Sequence, residues 1–275
     1  LRAGIRSADE IEQKTGLSVY ANVPSSPRQP ALDQAIQARQ GGTHLLTVAD
    51  PADLSVESLR SLRTALQFAM LHAPNRVIML TGSTPGIGKS FISANLAAIM
   101  AATGKRVLLI DADMRKGHLH DVFGVKRSPG LSELVANVQP LESVLRPQVV
   151  AGLDLIPGGT IPPNPAELLL SLSTGDWLQR LQDQYDLVLI DTPPVLAVSD
   201  ACVLAQRAGT VLLVARAETT TLGELQETAK RLAQAGGSVR GVVFNGLDFK
   251  RRYGYGYGYR YQRYDYGTPP KGTKA

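Results

Sequence analysis

The chain has 275 residues, 44% of them apolar, a formal net charge of +5 and a single cysteine, Cys202. That length supports one sizeable α/β core, and one cysteine excludes a disulfide framework or an all-cysteine metal cluster within the chain. No run approaches the roughly 18 consecutive apolar residues of a membrane span, although a chain starting at Leu1 reads as a piece of a longer protein.

Ser7–Lys14 reads as a short capped helix and Leu17–Val23 as a strand, followed by a connector over Pro24–Gly42 rich in Pro, Gln and Gly. Asp53–Leu71 has helical periodicity with Leu59, Leu62 and Leu66 on one face. Apolar runs at 76–81, 106–110, 154–156, 187–190, 211–215 and 239–244 then alternate with helical patterns at 89–103, 165–183, 199–207 and 221–235. Strands buried on both faces and alternating with helices predict a doubly wound, mainly parallel α/β sheet. From Lys250 the chain changes to Tyr, Gly and Arg with no aliphatic side chain before Ala275. Such a segment cannot build a core and is expected to be disordered when unbound. It carries seven cations against one anion, net +6, whereas residues 1–249 sum to −1. A nucleic-acid-binding surface across the folded part is therefore not indicated.

Gly82-Ser83-Thr84-Pro85-Gly86-Ile87-Gly88-Lys89-Ser90 fits G-x-x-x-x-G-K-[ST] if Ser83 takes the place of the first glycine, with Gly82 one residue earlier. The loop follows a predicted strand and opens a predicted helix at Lys89, as a phosphate cradle requires. Gly86 and Gly88 let backbone N–H groups turn toward a phosphate, and the helix N-terminus adds partial positive charge. Lys89 can reach the β- and γ-phosphates and Ser90 can ligate magnesium. The expected nucleotide-binding set is Thr84, Pro85, Gly86, Ile87, Gly88, Lys89, Ser90 and Phe91. A glycine-rich turn with a capping serine is the alternative.

Leu108–Arg115 places Asp111 and Asp113 at the end of the next strand, and Leu187–Pro194 places Asp191 at the end of another. In an open α/β sheet ligands bind at that end. Two residues apart, Asp111 and Asp113 share a side if the extended conformation persists. Magnesium keeps several waters, so Ser90 with Asp111, Asp113 and Asp191 is a sufficient set. Each aspartate alone reads equally well as a cap or turn residue. His118 and His120 hint at a metal pair but have no further ligand cluster, which favours a surface turn.

The loop, the strand-Asp-x-Asp-x-Arg segment and the strand-Asp-x-Pro segment resemble the Walker A, A′ and B motifs of bacterial tyrosine kinases of the Wzc polysaccharide co-polymerase type. Gly4–Ser7, Leu17–Tyr20 and Pro162–Leu169 resemble further segments of that family, so the likeness covers nearly the whole chain. It implies a phosphate-loop fold of the ParA/MinD-like type and ATP and Mg2+ as cofactors. It also implies catalytic roles for Lys89, Asp111, Asp113 and Asp191, with Asp111 as base toward a tyrosine hydroxyl. Residues 1–50 become a membrane-proximal segment and linker, 51–249 the kinase domain and 250–275 its tail, at the cytoplasmic face of a bacterial inner membrane. Glu57, Arg60 and Arg63 match the family's oligomerisation motif, implying a ring, an octamer by resemblance. A solvated charged face is the bland reading of those three. A tyrosine phosphatase and a polysaccharide export machinery are the other implied partners.

Tyr253, Tyr255, Tyr257, Tyr259, Tyr261, Tyr264 and Tyr266 crowd the tail between Gly254, Gly256 and Gly258. By resemblance they accept phosphate, from a neighbouring subunit. Two other functions fit parts of the chain. A ParA/MinD-like positioning ATPase would carry a signature lysine where Thr84 stands, and an aromatic, Gly- and Arg-rich tail can also stack on single-stranded bases. The reading adopted is autokinase, with no nucleic-acid partner.

Overall fold

The computed structural model describes residues 3–249; the tyrosine-bearing segment 250–275 lies outside them. Period-two alternation organises its centre. Val77 and Met79 enter the apolar core on one face of the sheet, Ile78 and Leu80 the core on the other. Leu108 and Ile110 part from Val107 and Leu109 in the same way, because successive strand side chains point to opposite faces. Strands apolar at both parities need cover on both sides.

The sheet comprises β1 (Val19–Pro24), β2 (Val77–Gly82), β3 (Val107–Asp111), β4 (Arg146–Val150), β5 (Leu153–Ile156), β6 (Leu187–Asp191), β7 (Thr210–Arg216) and β8 (Val239–Leu247). Their order is β1-β8-β7-β2-β6-β3-β5-β4, parallel throughout except for the β4–β5 pair. The helices are α1 (Ala8–Thr15), α2 (Gln29–Gln37), α3 (Leu46–Ala49), α4 (Leu54–Ala69), α5 (Lys89–Ala101) and α6 (Leu119–Val122). After them come α7 (Leu131–Val135), α8 (Leu141–Val144), α9 (Pro165–Thr174), α10 (Trp177–Gln182), α11 (Cys202–Ala205) and α12 (Leu222–Gln234). Leu59, Leu62 and Leu66 of α4 join α5 on one face, and Leu169, Leu181 and Leu225 of α9, α10 and α12 cover the other. β6 lies between β2 and β3, so the loops leaving these three strands meet at one edge. Among the described residues no helix is long and apolar enough to cross a membrane.

The structure revises several local expectations. The 24–42 connector contains α2, whose Pro30 stands in the first turn, where proline is compatible with a helix. Leu32 and Ile36, four apart, pack against the core. Segment 1–50 joins the main fold: β1 pairs with β8 at the sheet edge, and Ile5, Ile11, Val23, Leu45 and Leu46 are buried. The 165–183 pattern is two helices, parted at Gly175, which is extended with ψ −176°. The 199–207 pattern is a 3-10 turn at Ser199–Ala201 running into α11. β4, with Pro147 and Gln148 exposed, is an antiparallel edge that apolar patterning could not flag. Ser7 caps α1 by accepting from the Glu10 N–H at 3.2 Å, and Asp53 caps α4 by accepting from that of Ser55 at 2.8 Å.

Candidate functional site

The glycine loop bridges β2 and α5. Gly86 and Gly88 have φ of +76° and +85°, which side-chain-bearing residues rarely adopt. A Cβ on Gly88 would also collide with the Asn245 side chain. From the end of β8, Asn245 donates its amide to the Ile87 carbonyl at 3.1 Å and so ties the loop to the sheet. Ser83, standing where the pattern wants glycine, is buried with its hydroxyl 2.7 Å from that of Thr228 on α12. The hydroxyl is thereby used in the core.

Beneath the loop Lys89 donates to Asp191 Oδ1 at 2.7 Å. Ser90 donates to Oδ2 of the same carboxylate at 2.9 Å, and Ser93, one turn further along α5, to Oδ1 at 3.2 Å. Asp191 is 1% exposed and Lys89 9%. A buried carboxylate needs such partners, since desolvation costs several kcal/mol per ion. Asp111, also inaccessible, accepts the backbone N–H groups of Asp113 and Leu119, each at 3.2 Å. Gly117 lies so close that a Cβ there would strike the Asp111 carboxylate. Burial first, and then the charge of Asp191, push Asp111 up to about 7, against the opposing pull of Lys89 and the Leu119 N–H.

Asp111 and Asp113 do not share a side. β3 ends at Asp111 and the chain turns over 114–116. Asp113 Oδ1 accepts from Arg115 N and Lys116 N, at 3.3 and 3.0 Å. Asp113 lines the open cleft above the loop, while Asp111 stays behind the wall. The cleft holds about 940 Å³ and is bounded by the glycine loop, the 113–118 turn, Pro193 and Pro194, the ends of β7 and β8, and α2.

Two arginines fix the 113–118 turn. Arg115 grips the buried Asp200 with two bonds, at 3.0 and 3.3 Å. Arg127 donates to the carbonyls of Met114, Gly117 and Gly159, at 2.9, 2.6 and 2.7 Å. Asn245, Asp200, Arg127 and Ser93 were not singled out from the sequence. Asn245 left a trace, as the polar residue that closes the apolar run 239–244. Asp200 left none, being 85 positions from its partner.

His120 sits 3.3 Å from Asp121 and burial lowers its pKa, while His118 is exposed at the start of α6. No cluster of three or more His, Cys, Asp or Glu suited to a metal occurs among the described residues. Glu57, Arg60 and Arg63 lie on α4, outside the cleft. Arg60 pairs with Glu57 at 2.9 Å and with the Pro51 carbonyl at 2.8 Å; Arg63 reaches the Ile99 carbonyl at 3.5 Å and pairs with no carboxylate among the described residues. Tyr253 to Tyr266 lie outside the described residues.

The residues present fit a magnesium–nucleotide. Positive-φ glycines and a helix N-terminus form an anion nest, and hydroxyl and carboxylate oxygens from Ser90 and Asp191 suit a hard cation. Lys89 is already aimed at the same point.

A family model described as an AAA domain matches residues 75–237. The chain is 56% identical over 269 residues to EpsB of Ralstonia solanacearum, covering 97% of this chain and 36% of that protein. It is 46% identical over 272 residues to the tyrosine-protein kinase Wzc of Salmonella typhimurium, 98% of this chain and 37% of that one. The chain thus spans about a third of the length of the curated relatives it matches. Among solved structures, the BceF tyrosine kinase domain superposes with a TM-score of 0.81 at 49% identity, covering 89% of this chain and all of that one.

Proposed function

The chain belongs to the bacterial tyrosine-kinase family, and from that premise we propose that it transfers the γ-phosphoryl group of ATP to tyrosines of its own C-terminal segment. The observation that carries this reading is the Lys89–Asp191–Ser90 cluster, a buried cation and hydroxyl on one carboxylate beneath a glycine loop. ATP supplies the phosphoryl group, and Ser90 and Asp191 would hold a magnesium ion that would offset the charge of the phosphates. Lys89 gives up Asp191 for the terminal phosphates. Asp113, in the cleft wall, orients the incoming hydroxyl, with Asp111 behind it as the group that titrates near neutrality. The oxygen–phosphorus bond to tyrosine forms as the bond to ADP breaks, and the hydroxyl proton passes to a carboxylate or to water. In a loose transition state orientation suffices, so no strong base is required.

The reading extends to transfer between neighbours in a ring held by Glu57, Arg60 and Arg63, with a phosphatase reversing the reaction, at the cytoplasmic face of an inner membrane in polysaccharide export. The Thr84 side chain, in place of a signature lysine, supports the kinase over a positioning ATPase.

The test is incubation of the purified chain with magnesium and ATP, followed by mass spectrometry of residues 250–275. Phosphotyrosine is expected there and is expected to vanish in Lys89→Met. Undiminished phosphotyrosine in that variant would overturn the assignment.

A further inference from the structure

The cleft has one wall that the phosphate site does not use. α2 turns Gln29, Pro30, Asp33, Ile36 and Gln37 toward it, a stripe at helical spacing. The other walls bring Lys89, Arg115, Lys116 and Arg216, cations suited to phosphates, whereas the α2 stripe has one carboxylate and no cation. Within it Gln29 donates its amide to Asp33 Oδ1 at 2.9 Å. The Gln29 carbonyl oxygen is sealed from solvent and has no hydrogen-bond partner among the described residues, so what the stripe offers a ligand is the exposed Asp33 carboxylate. A carboxylate at the cleft with no cation beside it on α2 is complemented by a ligand with several N–H donors and positive charge. A guanidinium, with five donors in a planar fork, meets that demand.

The chain carries such groups beside its own tyrosines. Arg252 precedes Tyr253, Arg260 stands between Tyr259 and Tyr261, and Arg263 precedes Tyr264, whereas Tyr255 and Tyr257 have only glycine neighbours. This segment starts just beyond Asn245 and Gly246, which line the same cleft. Tyr253 is eight residues past Asn245, and at no more than about 3.5 Å per residue the acceptors can be up to about 28 Å away or further. That spans a cleft of this size, on the same subunit or a neighbour. Resting on the tyrosine-kinase reading above, we propose that Asp33, held by the Gln29 amide, forms an arginine-reading subsite that selects, within residues 250–275, tyrosines flanked by arginine. Pro30 and Ile36 supply apolar surface for the intervening ring.

The test follows the order of phosphorylation, resolved by site with mass spectrometry at early times, in the full 275-residue chain. In the unmodified protein Tyr253, Tyr259, Tyr261 and Tyr264 are expected to gain phosphate about fivefold faster than Tyr255 and Tyr257, the upper range for one partly exposed ion pair. Asp33→Asn should erase that preference, and Asp33→Lys should reverse it. Arg252→Gln should slow Tyr253 alone, and should add nothing once Asp33→Asn is present. Binding of a fluorescent ATP analogue should be unchanged in both Asp33 variants. An unaltered site order in Asp33→Asn, or additive effects with Arg252→Gln, would overturn the subsite. Weakened nucleotide binding would assign the α2 wall to the base or ribose and overturn it equally. Absence of phosphotyrosine from the unmodified chain would instead sink the kinase reading, and the subsite with it.

Discussion

Replacing Lys89 with Met tests the energetics of the site separately from its chemistry. Lys89 and Asp191 are 2.7 Å apart and almost wholly buried. Removing one partner of such a pair costs about 3–5 kcal/mol, because the other charge stays buried. Two features reduce that figure here. Ser90 and Ser93 still donate to Asp191, and Asp111 can take up a proton. We expect a loss of about 2–3 kcal/mol at pH 8, which for a domain of this size lowers Tm by roughly 5–10 °C. The pH dependence follows from Asp111. Its folded pKa of about 7 stands above the ordinary 3.8, so the fold prefers its neutral form, and its cost is fully present above pH 7 and relieved as pH falls toward 4. Lys89 opposes that rise, so its loss drives Asp111 further up. The penalty for Lys89→Met should therefore be smaller at pH 6 than at pH 8, and Asp191→Asn added to it should restore part of the stability. Calorimetry on the nucleotide-free chain at both pH values makes the measurement. An unchanged Tm at pH 8, or a penalty independent of pH, would refute the buried-pair argument. Lys89→Met thus weakens the fold as well as emptying the phosphate contact, so a silent variant needs its folding checked.

Two further predictions concern sites away from the cleft centre. Arg60→Ala with Arg63→Ala should turn a nucleotide-bound oligomer into monomers and slow phosphorylation, with light scattering as the readout and unchanged mass restoring the solvated-face reading. Glu133 accepts from the N–H groups of Gly130 and Thr160 and from the Ser132 hydroxyl, at 2.8, 2.9 and 2.9 Å. Burial works to raise its pKa, but hydrogen bonds from Thr160 and Gly130 prevail and hold it at about 2. A depressed carboxylate stabilises the fold above its unfolded value near 4.5 and loses that contribution as pH falls toward 2. Glu133→Gln should therefore cost about 1–2 kcal/mol at pH 7, discounted for partial exposure, and the gap to the unmodified protein should narrow below the unfolded value near 4.5 and close only as pH falls through about 2 in urea titrations.

The sheet and the glycine loop were legible in the sequence, for reasons that are local. Runs such as Val77–Leu80 and Val107–Ile110 are apolar at both parities, which only a sheet covered on both faces accommodates. The Gly86 and Gly88 loop needs no distant residue to announce a positive-φ nest before a helix. The positions of Ser90 at the start of α5 and Asp191 at the end of β6 were likewise legible from spacing. Direction and partnership came only with tertiary packing. Asp111 and Asp113 are equivalent in sequence, yet one is sealed beneath Gly117 and the other opens to the cleft, because the strand stops between them. Asp200 became Arg115's anchor, and Asn245 the brace of the loop, only when crossover connections brought segments 85 and 158 residues apart together. The α2 wall was hidden for a related reason. Its cleft face mixes Gln29, Asp33 and Gln37 with Pro30 and Ile36, and only Leu32 and the edge of Ile36 pack on the core, so periodicity was too weak to betray a helix until the core and the β1 edge gave it a place to pack.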